Sequence, residues 1–136
     1  MVGAGLRVRI FKAKAFARFA RKADIDDAAI RKAVHGAERG IIDAELGGGV
    51  IKLRVARPGE GKSGGYRTMV LYKPRTRAFF VHGFAKSDQG NIQRDELEAL
   101  KTLAKELLGY SDAMIAKAVA NGTLIEVNDE ENEAVP

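Results

Sequence analysis

Three stretches of strand-forming residues follow one another with little between them, and they leave few folds open to this chain. Val50 to Arg57 alternates strictly: Ile51, Leu53 and Val55 fall on one side, Lys52, Arg54 and Ala56 on the other. Tyr66 to Lys73 and Ala78 to Ala85 repeat the pattern, joined by a turn at Pro74-Arg75-Thr76. Connections this short require antiparallel neighbours, since a parallel pair needs a long crossover. A short strand at Ile42 to Leu46 precedes them, and Gly47-Gly48-Gly49 supplies the hairpin turn. Between Val50–Arg57 and Tyr66–Lys73 the sequence reads as a loop, Pro58 to Gly65, with four glycines.

Helical spacing flanks this block. Leu6, Val8 and Ile10 predict a first strand. Phe16, Phe19 and Ala20 predict a helix from Lys14 to Lys22. Asp24 or Asp26 can cap a second helix carrying Ile30, Ala33, Val34 and Ala37, ended by Gly40. After Gln93, Leu97, Leu100, Leu103, Ala104, Leu107 and Leu108 form an apolar stripe, with Gly109 as its C-terminal stop. Ser111 caps a shorter helix that ends at Asn121-Gly122, and Thr123 to Val127 reads as a last strand. The order β-α-α-β-β-β-β-α-α-β predicts an α+β fold, with the helices mostly on one face of a small antiparallel sheet. Residues 1–127 read as one domain and 128–136 as an acidic disordered tail.

Charge is unevenly spread. Residues 1–125 hold all 23 Lys and Arg but only 13 of the 18 acids, a net of +10. The stretch Lys52 to Lys86 alone has nine Lys or Arg and one acid, Glu60. Cations on strands around a glycine-rich turn fit a polyanion better than a small neutral metabolite. Arg54, Arg57, Lys62, Arg67 and Lys86 are the candidates to converge, with Lys52 beside them. Tyr66, His82 and Phe84 interleave with them, as aromatics do where unpaired bases stack. Phe79, Phe80 and Tyr72 read as core.

Other chemistries find less support. Gly61-Lys62-Ser63 resembles the end of a phosphate-binding loop, but the first glycine of that motif falls on Ala56. Such a loop must also open a helix, and Gly64-Gly65 leads into a strand. There is no cysteine, and two histidines, His35 and His82, offer no metal-ligand spacing, so neither a metal nor another cofactor is expected. Asp43 and Glu45 read as solvent-facing, and no catalytic carboxylate pair stands out. No run of about 18 apolar residues and no signal-peptide core is present, which points to the cytoplasm and away from a membrane.

The run from Lys52 to Arg67, containing Gly-Lys-Ser-Gly-Gly-Tyr-Arg, followed by Phe79-Phe80-Val-His-Gly-Phe-Ala-Lys86, resembles the RelE/HigB superfamily of type II toxin–antitoxin toxins. Leu107 to Asp112 and Gly122 to Glu126 are similar to the same branch. The resemblance implies a small antiparallel sheet with two N-terminal helices packed on it, here with a C-terminal helical extension. It implies a metal-independent endoribonuclease acting on mRNA on the 70S ribosome, neutralised by a cognate helix-turn-helix antitoxin, as a monomer or in a small oligomer with it. By motif position Arg67, Lys86 and Arg54 take the catalytic places, while Arg57, Lys62, Lys52, Tyr66, Phe84 and His82 are read from the cluster itself as RNA contacts. Beside it stands a non-catalytic RNA- or DNA-binding module, which the same cations would serve.

Overall fold

The computed structural model describes residues 8–57, 61–85 and 92–127. Its chain order is β1 (Arg9–Ala13), α1 (Lys14–Ala23), α2 (Asp27–Glu38), β2 (Ala44–Gly47), β3 (Val50–Arg57), β4 (Gly61–Lys73), β5 (Arg77–Ala85), α3 (Arg94–Leu108), α4 (Asp112–Ala120) and β6 (Leu124–Val127). This is the α+β arrangement the sequence predicts, with three corrections.

First, the sheet is mixed. Its six strands lie in the order β2-β3-β4-β5-β1-β6, and β1 runs parallel to β5. The meander β2 to β5 is antiparallel as expected. The parallel pair arises because α1 and α2 carry the chain from β1 to the far edge before the meander returns to it. Second, the helices occupy both faces. On one side α1 and α2 bury Phe16, Ala20, Ile30 and Val34 against Ile51, Leu53, Val55, Val70 and Phe80. On the other, α3 and α4 bury Ala104, Leu107, Ile115 and Ala118 against Phe11, Val50, Leu71 and Phe79. Phe11 and Phe79, neighbours across the parallel pair, stack with ring centroids 5.2 Å apart. Third, Gly61 to Gly65, expected as loop, belongs to β4, with Gly61 paired to Arg57. Period-two apolarity cannot mark a strand built of glycine and polar residues.

Local chemistry sets the ends. Asp26 caps α2 by accepting from the Ala29 N–H at 2.9 Å, whereas Asp24 adopts the left-handed conformation (φ 59°) that closes α1. Ser111 caps α4 by accepting from the Met114 N–H. Arg77 ties the α3–α4 junction to the sheet, donating to the Tyr110 carbonyl (2.5 Å) and to Asp112 (2.9 Å). Tyr72 donates its hydroxyl to Glu38 on α2, whose same oxygen accepts from the Arg75 N–H at 3.0 Å. Burial, then the bond to Glu38, pushes the Tyr72 phenol well above its ordinary value.

The β4–β5 ladder contains one bulge. Met69 pairs with His82, but Val70 pairs with Phe80, leaving Val81 unmatched. Beyond it Gly83 faces α1, where a methyl group would sit 2.4 Å from the Phe19 ring. Phe19 fills that space and meets Tyr66 edge-on at 5.4 Å.

Two stability predictions follow from these contacts. Gly83→Ala should cost about 1–3 kcal/mol in urea denaturation, because the added carbon must displace a ring. In a Phe19→Ala background most of that cost should vanish, since the clash is pairwise. Tyr72→Phe should cost about 1.5–3 kcal/mol, the range for a hydrogen bond to a charged acceptor. The phenol's folded-state pKa lies above its unfolded value, so this stabilisation is complete below about pH 10 and is lost as pH rises further. The wild-type advantage over Tyr72→Phe should therefore be level from pH 6 to 9 and shrink in more alkaline urea melts.

Candidate nucleic-acid interface

Three strands build the site, and their register decides its content. Directly opposed residues share a face of the sheet. On the face that carries Val50, Leu71 and Phe79 under α3, the next rung is Lys52–Met69–His82 and the one after it Arg54–Arg67–Phe84. Arg54 and Arg67 thus stand directly opposite each other, about 4.5–5.5 Å apart between Cα atoms. Lys52 lies one rung away. His82 and Phe84 complete the two rungs, their rings 5.7 Å apart. Arg54 is exposed and Lys52 and His82 half-buried, while Phe84 is buried at 7% exposure.

Two glycines let these rungs form. Gly83 sits between His82 and Phe84 and turns its bare side to Phe19. A methyl group at Gly65 would lie 2.8 Å from the Val55 carbonyl oxygen and 3.2 Å from Cγ of Arg54. The stem of Arg54 therefore passes over a backbone that only glycine leaves open, which gives the Gly-Gly-Tyr-Arg run a physical reason.

Arg67 is not a bare cation. Its Nε lies 3.1 Å from Oδ2 of Asp43, and its side chain is only 11% exposed. Asp43 immediately precedes β2 and is held by its own N–H, which donates to the Lys52 carbonyl at 3.0 Å. Asp43 is exposed, as expected, but its carboxylate also reaches Arg67, a contact that sequence reasoning missed. The acid is 24 residues from Arg67 and joins it only through pairing of β2, β3 and β4, so no local pattern marks it.

The remaining candidates divide. Tyr66 lies on the opposite face, 8% exposed in the core beneath α1 and against Phe19, so its ring is not placed to stack a base beside Arg67. Strand alternation accounts for this, since adjacent residues point to opposite faces. Lys86 lies outside the described residues, as do the side chains of Arg57 and Lys62 and the tail 128–136. Among the described residues no helix is long and apolar enough to cross a membrane.

The arrangement offers guanidinium and ammonium groups to a phosphate backbone. Each such contact adds about −0.7 to the slope of log K against log salt for a single strand. Arg54→Ala should therefore flatten that slope by about 0.7 in titrations with single-stranded RNA, while Tyr66→Phe leaves it unchanged.

Comparison with known proteins places the chain at the level of family. No curated protein matches the chain. A family model described as the RelE toxin of the RelE/RelB toxin–antitoxin system matches residues 8–127, from just before β1 to the end of β6. That span takes in every strand and helix described above, and the chain belongs to the RelE toxin family, whose members pair with an antitoxin.

Proposed function

We propose that this toxin is an endoribonuclease that cleaves mRNA bound to the ribosome and so stops translation. The observation that carries the reading is the rung Arg54–Arg67 with Lys52 beside it. Two guanidiniums on one rung, even with Asp43 against one of them, attract an anion lying across both. A phosphodiester supplies the anion, and its planar pairs of oxygens suit the arginine fork.

The reaction is transesterification within the RNA. The 2′-oxygen attacks the adjacent phosphorus, the bond from phosphorus to the 5′-oxygen breaks, and a cyclic phosphate and a free 5′-hydroxyl result. One proton leaves the 2′-hydroxyl and one reaches the departing oxygen. Between these, extra negative charge gathers on the non-bridging oxygens. Arg67 meets that charge, and Arg54 holds it or the neighbouring phosphate. Permanent cations already in place at the reacting phosphorus contribute on the order of 3–4 kcal/mol per group. Proton transfer falls to lysine. Lys86 takes this role by its place in the motif, with Lys62 as the other candidate. In this reading His82, on the Lys52 rung, contacts the substrate, and Phe84 pairs with Arg67 across the strands. The substrate, the ribosomal setting and a helix-turn-helix antitoxin follow the family resemblance, as does placement in the cytoplasm.

The test is cleavage of a defined message on programmed 70S ribosomes. Protein treated with EDTA and dialysed should cut at the untreated rate, leaving cyclic-phosphate ends. Arg67→Ala should lose about 10²–10³-fold, the scale of one preorganised charge, and adding Lys86→Ala should lower cleavage further. Full activity in that double variant would reject these assignments. Salt-sensitive RNA binding without cleavage or growth arrest would instead support the non-catalytic module.

A further inference from the structure

We infer that Asp43 is a positioning residue, holding the Arg67 guanidinium by its Nε so that the terminal nitrogens are presented to the scissile phosphate. This rests on the proposed role of Arg67 in RNA cleavage. Three observations lead to it.

The first is geometry. Oδ2 of Asp43 takes the Nε side of the guanidinium at 3.1 Å, and an arginine has five N–H donors. The ion pair is made at Nε, and the fork that fits two phosphate oxygens is formed by the terminal nitrogens. The second is rigidity. The Arg67 side chain is nine-tenths shielded, and the backbone of Asp43 is bonded to the carbonyl of Lys52, a residue of the adjoining rung. The acid is thus built into the same ladder that carries the cations. The third is charge. Arg54 opposes Arg67 directly, and like charges so placed destabilise a strand pair. A carboxylate on one of them relieves this without removing either guanidinium.

A surface built only to attract RNA would gain from omitting this acid, which repels the phosphate backbone. Keeping it costs ground-state attraction and gains a fixed donor geometry, useful where the charge develops during reaction. Asp43→Asn should therefore move two observables in opposite directions. Removing a negative charge should tighten binding of a non-cleavable single-stranded RNA about 2–5-fold at low salt. Freeing the guanidinium should slow single-turnover cleavage at saturating enzyme by about 10-fold or more.

The experiment measures both in wild type, Asp43→Asn, Asp43→Glu and Glu45→Gln, with the Arg67 Nε–H followed by NMR and each variant's melting temperature recorded. Glu45 is an exposed acid on β2, and neutralising it changes the net charge equally. Expected are slower cleavage with tighter binding in Asp43→Asn, partial recovery in Asp43→Glu, a wild-type rate in Glu45→Gln, and an Nε–H protected from exchange only where an acid occupies position 43. Cleavage by wild type with an equal rate in Asp43→Asn overturns the role of Asp43 alone. So does a rate lost together with binding and folding in both position-43 variants. Message left intact by the wild type overturns the ribonuclease reading itself, and the positioning role with it.

Discussion

The extra residue in β5 determines what the sheet shows to solvent and what it hides. Without a bulge, His82 and Phe84 would continue the side begun by Ala78 and Phe80, facing α1. Leaving Val81 unmatched moves both to the side of Arg67 and puts Gly83 beneath Phe19 in their stead. A shift of one residue reverses every side chain beyond it, so one irregular pair separates an apolar half-strand from one that faces the candidate site. The Phe19 ring then rests where a methyl group would otherwise stand and locks the shift from the opposite face. The bulge is thus held by core packing on one face and expressed as site content on the other.

That coupling explains how one small sheet serves two purposes. Rows Val50–Leu71 and Leu71–Phe79 are apolar and lie under α3 and α4. Two rungs further along the same strands are Arg54 and Arg67. The cations are carried by strands whose other sides are fully committed to the core: Leu53, Val55 and Val70 are all 2% exposed or less. A site on such strands is more rigid than one on loops, which suits the proposed role of charge that is in place beforehand.

Much of this is legible in the residues, and the limits are physical. Val50 to Arg57 is found as written because alternation is a local property. The helix caps at Asp26 and Ser111 are local too. Opposition of Arg54 and Arg67 follows from antiparallel pairing once the register is known, but the register depends on where the turn falls. Glycines extend β4 back to Gly61, beyond the reach of hydrophobic pattern. The parallel contact of β1 with β5 joins residues half the chain apart, so no spacing rule reveals it. Placement of helices on both faces is hidden for a related reason: each stripe shows that a helix is covered, not which side of the sheet covers it.

Asp43 is the sharpest instance of what a linear reading loses. Viewed along the chain it is one of two acids near a short edge strand, with Glu45 two residues on. In space the two have different surroundings. Both are exposed, but Asp43 meets a guanidinium at 3.1 Å. The difference comes from the irregular start of β2, where the Asp43 N–H bonds to Lys52 before regular pairing is established at Ala44. An edge strand begun this way delivers one carboxylate across β3 to β4. The basic patch is therefore better described as a ladder of cations with one carboxylate built in than as a collection of cations. That carboxylate is delivered by the strand farthest from β6, so anything that frays that edge would loosen Arg67 before it disturbed the core.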